Sequence, residues 1–331
     1  MHSFTHCDNS YFLFPSPLLT YCPHCLPFKL PLDITGHSMS DVYGLQEAFI
    51  SSGRRVCLYD PPGTGWSSQG PAFNGDASDS NPVHSRLIST LISQMGEPGP
   101  FIFIGSMDGG AERIYKMGLE RPDLVRALVP MQYGVPEFAS TAVYFNYSQA
   151  QAEDFAVISL TPRLSFCDII RFLGVQWGLV GLFVPSDPNF VPKDRQGEKN
   201  FLNLFHEGQW DMQCRILSSQ VNNPSLALKP SLWSSNRSLS AHIPVLAIDN
   251  PGPDPCTGDG APSQGTDACN IIRLSKTMNT AFMKSMTTMT INSTFVQCLQ
   301  GPAVCLDWLG GGTTVPFVAS TVIAFLTKIG A

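Results

Sequence analysis

The stretch over residues 100–131, PFIFIGSMDGGAERIYKMGLERPDLVRALVPM, constrains the fold more than any other part of the chain. Residues 101–104 are an apolar run of strand length. That run gives way at once to small residues, Gly105, Ser106, Gly109, Gly110 and Ala111. The spacing of Ala111, Ile114, Tyr115 and Gly118 then predicts a helix with one packing face. Glu120-Arg121-Pro122 ends that helix, because a proline disfavours helical geometry in the residue before it. Residues 124–131 read as a second buried strand. Strand, sharp turn, helix and strand in this order form the βαβ unit of a parallel sheet, so the fold class is α/β.

The flanking sequence carries the same rhythm. Residues 30–35 and 55–59 (RVCLY) read as strands, with a helix over 41–53 between them, capped by Ser40 or Asp41. A helix over 83–95 presents Leu87, Ile88, Leu91, Ile92 and Met95 on one face and feeds the strand at 101. The rhythm breaks over 135–240 and resumes after His242 with IPVLAI, a late strand. A helix over 268–289, a last strand over 294–299 and an amphipathic helix over 314–329 complete the pattern. With 331 residues and 43% of them hydrophobic, the chain can bury one large α/β core and still carry an insertion. The net charge of −6 offers no basic footprint, so no nucleic-acid partner is expected. No apolar run reaches the length of a membrane span; residues 172–185 (FLGVQWGLVGLFVP) suit a cap helix or an interfacial segment that meets a membrane surface.

The turn after residue 104 resembles the nucleophile elbow of the α/β-hydrolase family. That family sets its nucleophile in G-x-S-x-G on a sharp strand-to-helix turn. Small residues flank it because the two backbones approach too closely for a Cβ. Here the frame reads Gly105-Ser106-Met107-Asp108-Gly109, so the nucleophile slot holds Met107, a thioether with no proton to lose. A shift by one residue puts Asp108 in the slot, as in members that attack through a carboxylate. The opposite shift puts Ser106 there but leaves Ile104 where a small residue belongs. A second match is Asp60-Pro61-Pro62-Gly63-Thr64-Gly65-Trp66-Ser67-Ser68, similar to the family's D-x-P-G-x-G-x-S loop. A third is Gly36-His37-Ser38-Met39-Ser40, which follows an early strand where the family carries an oxyanion loop.

The resemblance implies an α/β-hydrolase fold: a mostly parallel central sheet flanked by helices, with an inserted helical cap. It divides the chain into an N-terminal extension over 1–30, a core over 31–134 and 241–331, and a cap over 135–240. It implies backbone groups at Gly36, Ser38 and Gly109 facing a bound carbonyl, and an orienting acid at Asp254 or Asp249 after the late strand. It implies no cofactor and no metal. The family's histidine follows the last strand. Here that place reads Gln300-Gly301-Pro302-Ala303-Val304-Cys305, and no histidine occurs after His242. His242 itself lies at the wrong end of its strand, about 20 Å of extended chain from the loop edge. His206 lies in the cap, and His37 in the oxyanion-type loop is nearest in topology.

Two functions remain open on these residues. One is a member with a degenerate triad that binds a small apolar ligand or a partner. The other is a hydrolase of esters, amides or epoxides, with Asp108 or Ser106 attacking and His37 as base.

Ten cysteines, with Cys256/Cys269 and Cys298/Cys305 at loop-stapling distance, point to an oxidising compartment. So do three glycosylation sequons, at Asn146, Asn236 and Asn292. The opening MHSFTHCDNSYFLF has neither the basic flank nor the apolar core of a secretion signal. The Cys22-Pro23-His24-Cys25 tetrapeptide lacks a following helix, since Pro27 and Pro31 forbid one, and so is not read as a redox centre.

Overall fold

The structure, a computed structural model, describes residues 5–7, 10–12, 29–34, 43–59, 80–94, 99–131, 239–249, 267–298 and 314–331. In chain order these form β1 (Thr5–Cys7), β2 (Ser10–Phe12), β3 (Lys29–Ile34), α1 (Tyr43–Ser51), β4 (Arg55–Tyr59) and α2 (Ser80–Gln94). Then come β5 (Phe101–Ser106), α3 (Met107–Glu120), a 3-10 turn (Pro122–Leu124) and β6 (Val125–Met131). They are followed by β7 (Leu246–Asp249), α4 (Asp267–Thr288), β8 (Thr294–Gln297) and α5 (Thr314–Lys328). The sheet runs β2-β1-β4-β3-β5-β6-β7-β8. From β4 to β8 every pairing is parallel, while β1 pairs antiparallel with both β2 and β4. The central sheet is therefore mostly parallel, as the βαβ pattern requires.

Alternation along the strands explains why helices lie on both faces. In β5, Ile102 and Ile104 point to one side, where they pack with Leu45 and Phe49 of α1 and Val322 and Phe325 of α5. Phe101 and Phe103 point to the other, against Ile88 of α2, Ile114 of α3 and Met283 of α4. All four residues are at most 4% exposed, so β5 is the buried middle of a three-layer structure. One irregularity reverses the alternation in β6. Phe101 pairs with Val125 but Ile102 pairs with Ala127, which leaves Arg126 as the extra residue. Val125 and Leu128 thus join the α3 side while Ala127 and Val129 join the α1 side. Arg126 stays exposed and donates from Nη2 to the Ile329 carbonyl at 3.3 Å.

Local chemistry sets the element ends. Gly53 takes φ +82° after α1, and its N–H donates to the Ile50 carbonyl at 2.8 Å while Arg54 N–H reaches Phe49 O at 3.2 Å. This is the left-handed stop that glycine adopts without a Cβ penalty. α3 closes with Arg121 N–H on Met117 O, and Pro122 then starts the 3-10 turn. α2 begins at Ser80, earlier than residue 83, because a proline at position 82 sits in the first helical turn, where its missing N–H costs nothing.

The described parts of 31–134 and 241–331 form one sheet with its flanking helices. Residues 135–238, nearly all of the expected cap, lie outside the described residues, as does the loop over 60–68. Leu239, 3% exposed, returns the chain to the core, where its Cδ2 lies close against Gly118 of α3. The strands β1 and β2 add to the sheet where periodicity shows nothing. Cys57 and Cys298 each take part in a disulfide bond, not with one another. The pairings expected from spacing involve Cys256, Cys269 and Cys305, whose side chains lie outside those described. Among the described residues no helix is long and apolar enough to cross a membrane.

Candidate functional site

The candidate site is the carboxyl edge of the sheet at β5. Ile34 pairs with Ser106, Ser106 with Met131, Met131 with Ile248, and Asp249 with Gln297. The last residues of β3, β5, β6, β7 and β8 therefore stand in a row. Ligands of open parallel sheets meet the carboxyl ends of the strands. The residues that continue from it over 35–42, 132–238, 250–266 and 299–313 lie outside the described ones.

The turn at β5 is as tight as its small residues predict. β5 ends at Ser106 and α3 begins at Met107, with no connecting residue. A Cβ on Gly105 would lie 2.3 Å from the Gly110 carbonyl oxygen and 2.6 Å from its carbon. It would also lie 2.9 Å from Ile114 Cγ2. Gly105 does not take a positive φ; close approach alone demands glycine here. The helix that fixes the turn is firmly seated: Ala111, Ile114 and Met117 are 0% exposed. Tyr115 packs edge-on against Phe282 at 6.2 Å between centroids, and burial pushes its phenol up to about 12.

At the far end of the row Asp249 is 3% exposed at the end of β7. Its Oδ2 accepts hydrogen bonds from Thr280 Oγ1 of α4 at 2.6 Å and from Gln297 Nε2 of β8 at 3.1 Å. Its backbone carbonyl accepts from Cys298 N–H at 3.0 Å. Two strand spacings, about 10 Å, separate β7 from β5. The carboxylate thus ties β7, β8 and α4 together by charge-assisted bonds, which a buried carboxylate requires.

Solved structures share this architecture. The chain is similar to the epoxide hydrolase VrEH1 from Vigna radiata, with TM-score 0.54 and 13% identity over 91% of each chain. It is similar to the esterase EaEST from Exiguobacterium antarcticum, with TM-score 0.53 and 13% identity over 98% of this chain and 95% of that one. MenH from S. aureus gives TM-score 0.51 and 12% identity over 100% and 99%. The chain has the α/β-hydrolase fold. No protein-family model matches the sequence, and no curated protein sequence matches it.

On the α/β-hydrolase fold the sequence-predicted residues distribute as follows. Ser106 closes β5, and Met107, Asp108 and Gly109 open α3; the side chains of these four lie outside those described. Gly36, His37, Ser38 and Asp254 lie outside the described residues altogether. His242 is exposed in the turn before β7, at the amino edge and remote from Ser106. Asp249 belongs to the row, but the structure pairs it with Thr280 and Gln297, two residues that no motif marks. Their partnership depends on the β7–β8 register and the seating of α4, which neither composition nor spacing encodes. Among the described residues no group of three His, Cys, Asp or Glu side chains is placed to hold a metal ion.

Proposed function

We propose that this chain is a hydrolase-fold protein with a degenerate triad, which binds a small apolar ligand or a partner at the carboxyl edge without ordinary serine-hydrolase chemistry. The observation that carries the reading is the pinch between Gly105 and Gly110. In the small-x-nucleophile-x-small frame, the glycine pressed against the helix stands two residues before the nucleophile. That register favours Met107 in the slot over Asp108 or Ser106. A thioether at the elbow has no proton to give up and is a poor acyl acceptor. The sequence adds that no histidine follows His242, so the place after β8 offers no base. The bonds from Thr280 and Gln297 to Asp249 give that carboxylate a structural occupation.

The epoxide hydrolase and esterase likenesses favour a second reading, a working hydrolase of esters, amides or epoxides with Asp108 or Ser106 attacking and His37 as base. The ligand in either case is small and apolar or ester-like, since the cap sequence over 172–210 is rich in Trp and Phe. Contact with a membrane surface through residues 172–185 and residence in the secretory pathway belong to the same proposal. One experiment separates the readings: turnover of a panel of short-chain aryl esters and epoxides by the parent chain and by Ser106→Ala, Asp108→Asn and His37→Ala. The degenerate-triad reading expects no turnover above buffer in any of the four. Turnover abolished by one substitution establishes the second reading instead.

A further inference from the structure

We propose that Asn292 carries an N-linked glycan. Asn292-Ser293-Thr294 is a sequon, and its structural setting is the one such a site needs. Asn292 is exposed in the turn between α4 and β8 and takes φ +55°, a left-handed conformation that asparagine tolerates better than most residues. The turn is fixed by its neighbours and not by the asparagine side chain. Ser293 Oγ accepts from Val245 N–H at 2.9 Å, is hydrogen-bonded to Thr290 Oγ1, and donates to the Ile291 carbonyl at 3.3 Å. Ile291 N–H donates to the Ala241 carbonyl at 2.9 Å. A sugar on Asn292 therefore disturbs none of the bonds that hold the turn.

Two further observations point the same way. Cys57 and Cys298 each take part in a disulfide bond, and such bonds persist in the oxidising compartment where glycans are attached. Next to Asn292, Ile291 is 52% exposed, the large hydrophobic side chain left most open among the described residues. A bulky, solvated sugar on the adjacent residue shields it. The turn precedes β8 and so lies at the amino edge of the sheet, opposite Ser106 and Gln297, where a glycan leaves the candidate site uncovered.

The transfer balances with a lipid-pyrophosphate-linked oligosaccharide as donor. The Asn292 amide nitrogen bonds to the anomeric carbon, the bond from that carbon to phosphate oxygen breaks, the lipid pyrophosphate leaves with the electron pair, and one amide proton passes to solvent. The test is cell-free translation of the full chain behind a cleavable secretion leader, with microsomal membranes present. Protease-protected chains are compared by gel mobility before and after endoglycosidase. The parent chain is expected to show an endoglycosidase-sensitive shift that Asn292→Gln reduces by one step, Thr294→Ala reduces equally and Thr294→Ser retains. Transfer acts on the unfolded chain, so a variant that folds poorly still reports. Asn292→Gln chains that migrate with the parent at every step overturn the proposal.

Discussion

Replacing Gly105 by alanine tests the physical basis of the elbow. The new Cβ would stand 2.3 Å from Gly110 O, about 0.7 Å inside the 3.0 Å that real Cβ atoms essentially never breach. Its two nearest contacts are backbone atoms, so no side-chain rotation relieves them. Relief requires the first turn of α3 to lift from β5, yet Ala111, Ile114 and Met117 of that helix are 0% exposed. Overpacking a core costs about 1–3 kcal/mol, and more where backbone must move, while restricting the unfolded chain returns less than about 1 kcal/mol. A net loss of about 3 kcal/mol is expected, a large share of the ~5–15 kcal/mol that holds a domain folded. Gly118→Ala is the control. Its Cβ meets Leu239 Cδ2 at 2.7 Å and Leu128 Cδ1 at 2.8 Å, the ends of flexible side chains. Alanine in mid-helix also gains about 1 kcal/mol over glycine, so the control is expected to cost no more than ~1.5 kcal/mol. Urea unfolding followed by circular dichroism measures both. A Gly105→Ala chain within ~1 kcal/mol of the parent, or more stable than Gly118→Ala, refutes the argument from close approach.

Three other outcomes follow from described contacts. Asp249→Ala strands the Thr280 hydroxyl and the Gln297 amide, and is expected to cost about 2–4 kcal/mol in the same assay, with β7–β8 amides losing hydrogen-exchange protection. Tyr115 has its folded pKa raised to about 12 against an ordinary 10.0, so its contribution is fully present below pH 10 and is lost as pH rises toward 12. Over that window the parent is expected to lose about 2 kcal/mol more than Tyr115→Phe, read from paired unfolding curves; parallel curves count against the assignment. Arg54 is 6% exposed, with Nε and Nη1 lacking partners and Nη2 donating to the Ala331 carbonyl at 3.1 Å. Burial lowers its pKa, so Arg54→Met is expected to change stability by less than about 1 kcal/mol or to raise it. A loss above ~2 kcal/mol would show that the guanidinium is net stabilising.

Much of the scaffold is legible in the residues themselves, and the reasons are local. Arg55–Tyr59 is bounded by Gly53 and by Asp60-Pro61, so strand β4 can be read to the residue. Strand β5 runs two residues beyond its apolar stretch, because Gly105 and Ser106 pair with β3 and β6 despite their small side chains. β1 and β2 are illegible: three residues each, THC and SYF, are too few to show a period, and only pairing with β4 makes them strands. The reversal of faces at Arg126 is hidden for a similar reason, since a register slip belongs to two strands at once. At the candidate site, the glycine pattern reveals the elbow because its cause is steric and lies within six residues. The Asp249 cluster spans 31 and 48 residues of sequence, and its members are ordinary polar residues on elements that meet only in the fold.

Among the described residues the sheet has eight strands and is bordered on one side by a strand of three residues, β2, and on the other by one of four, β8. Borders this short present few open amide and carbonyl groups to a neighbouring molecule, which protects against strand-by-strand accretion. Removing the first twelve residues would instead uncover the five-residue flank of β4, with Val56 and Leu58 in it, as a longer apolar template. The shortened chain is therefore expected to self-associate where the parent does not, an outcome that light scattering at matched concentration reports directly.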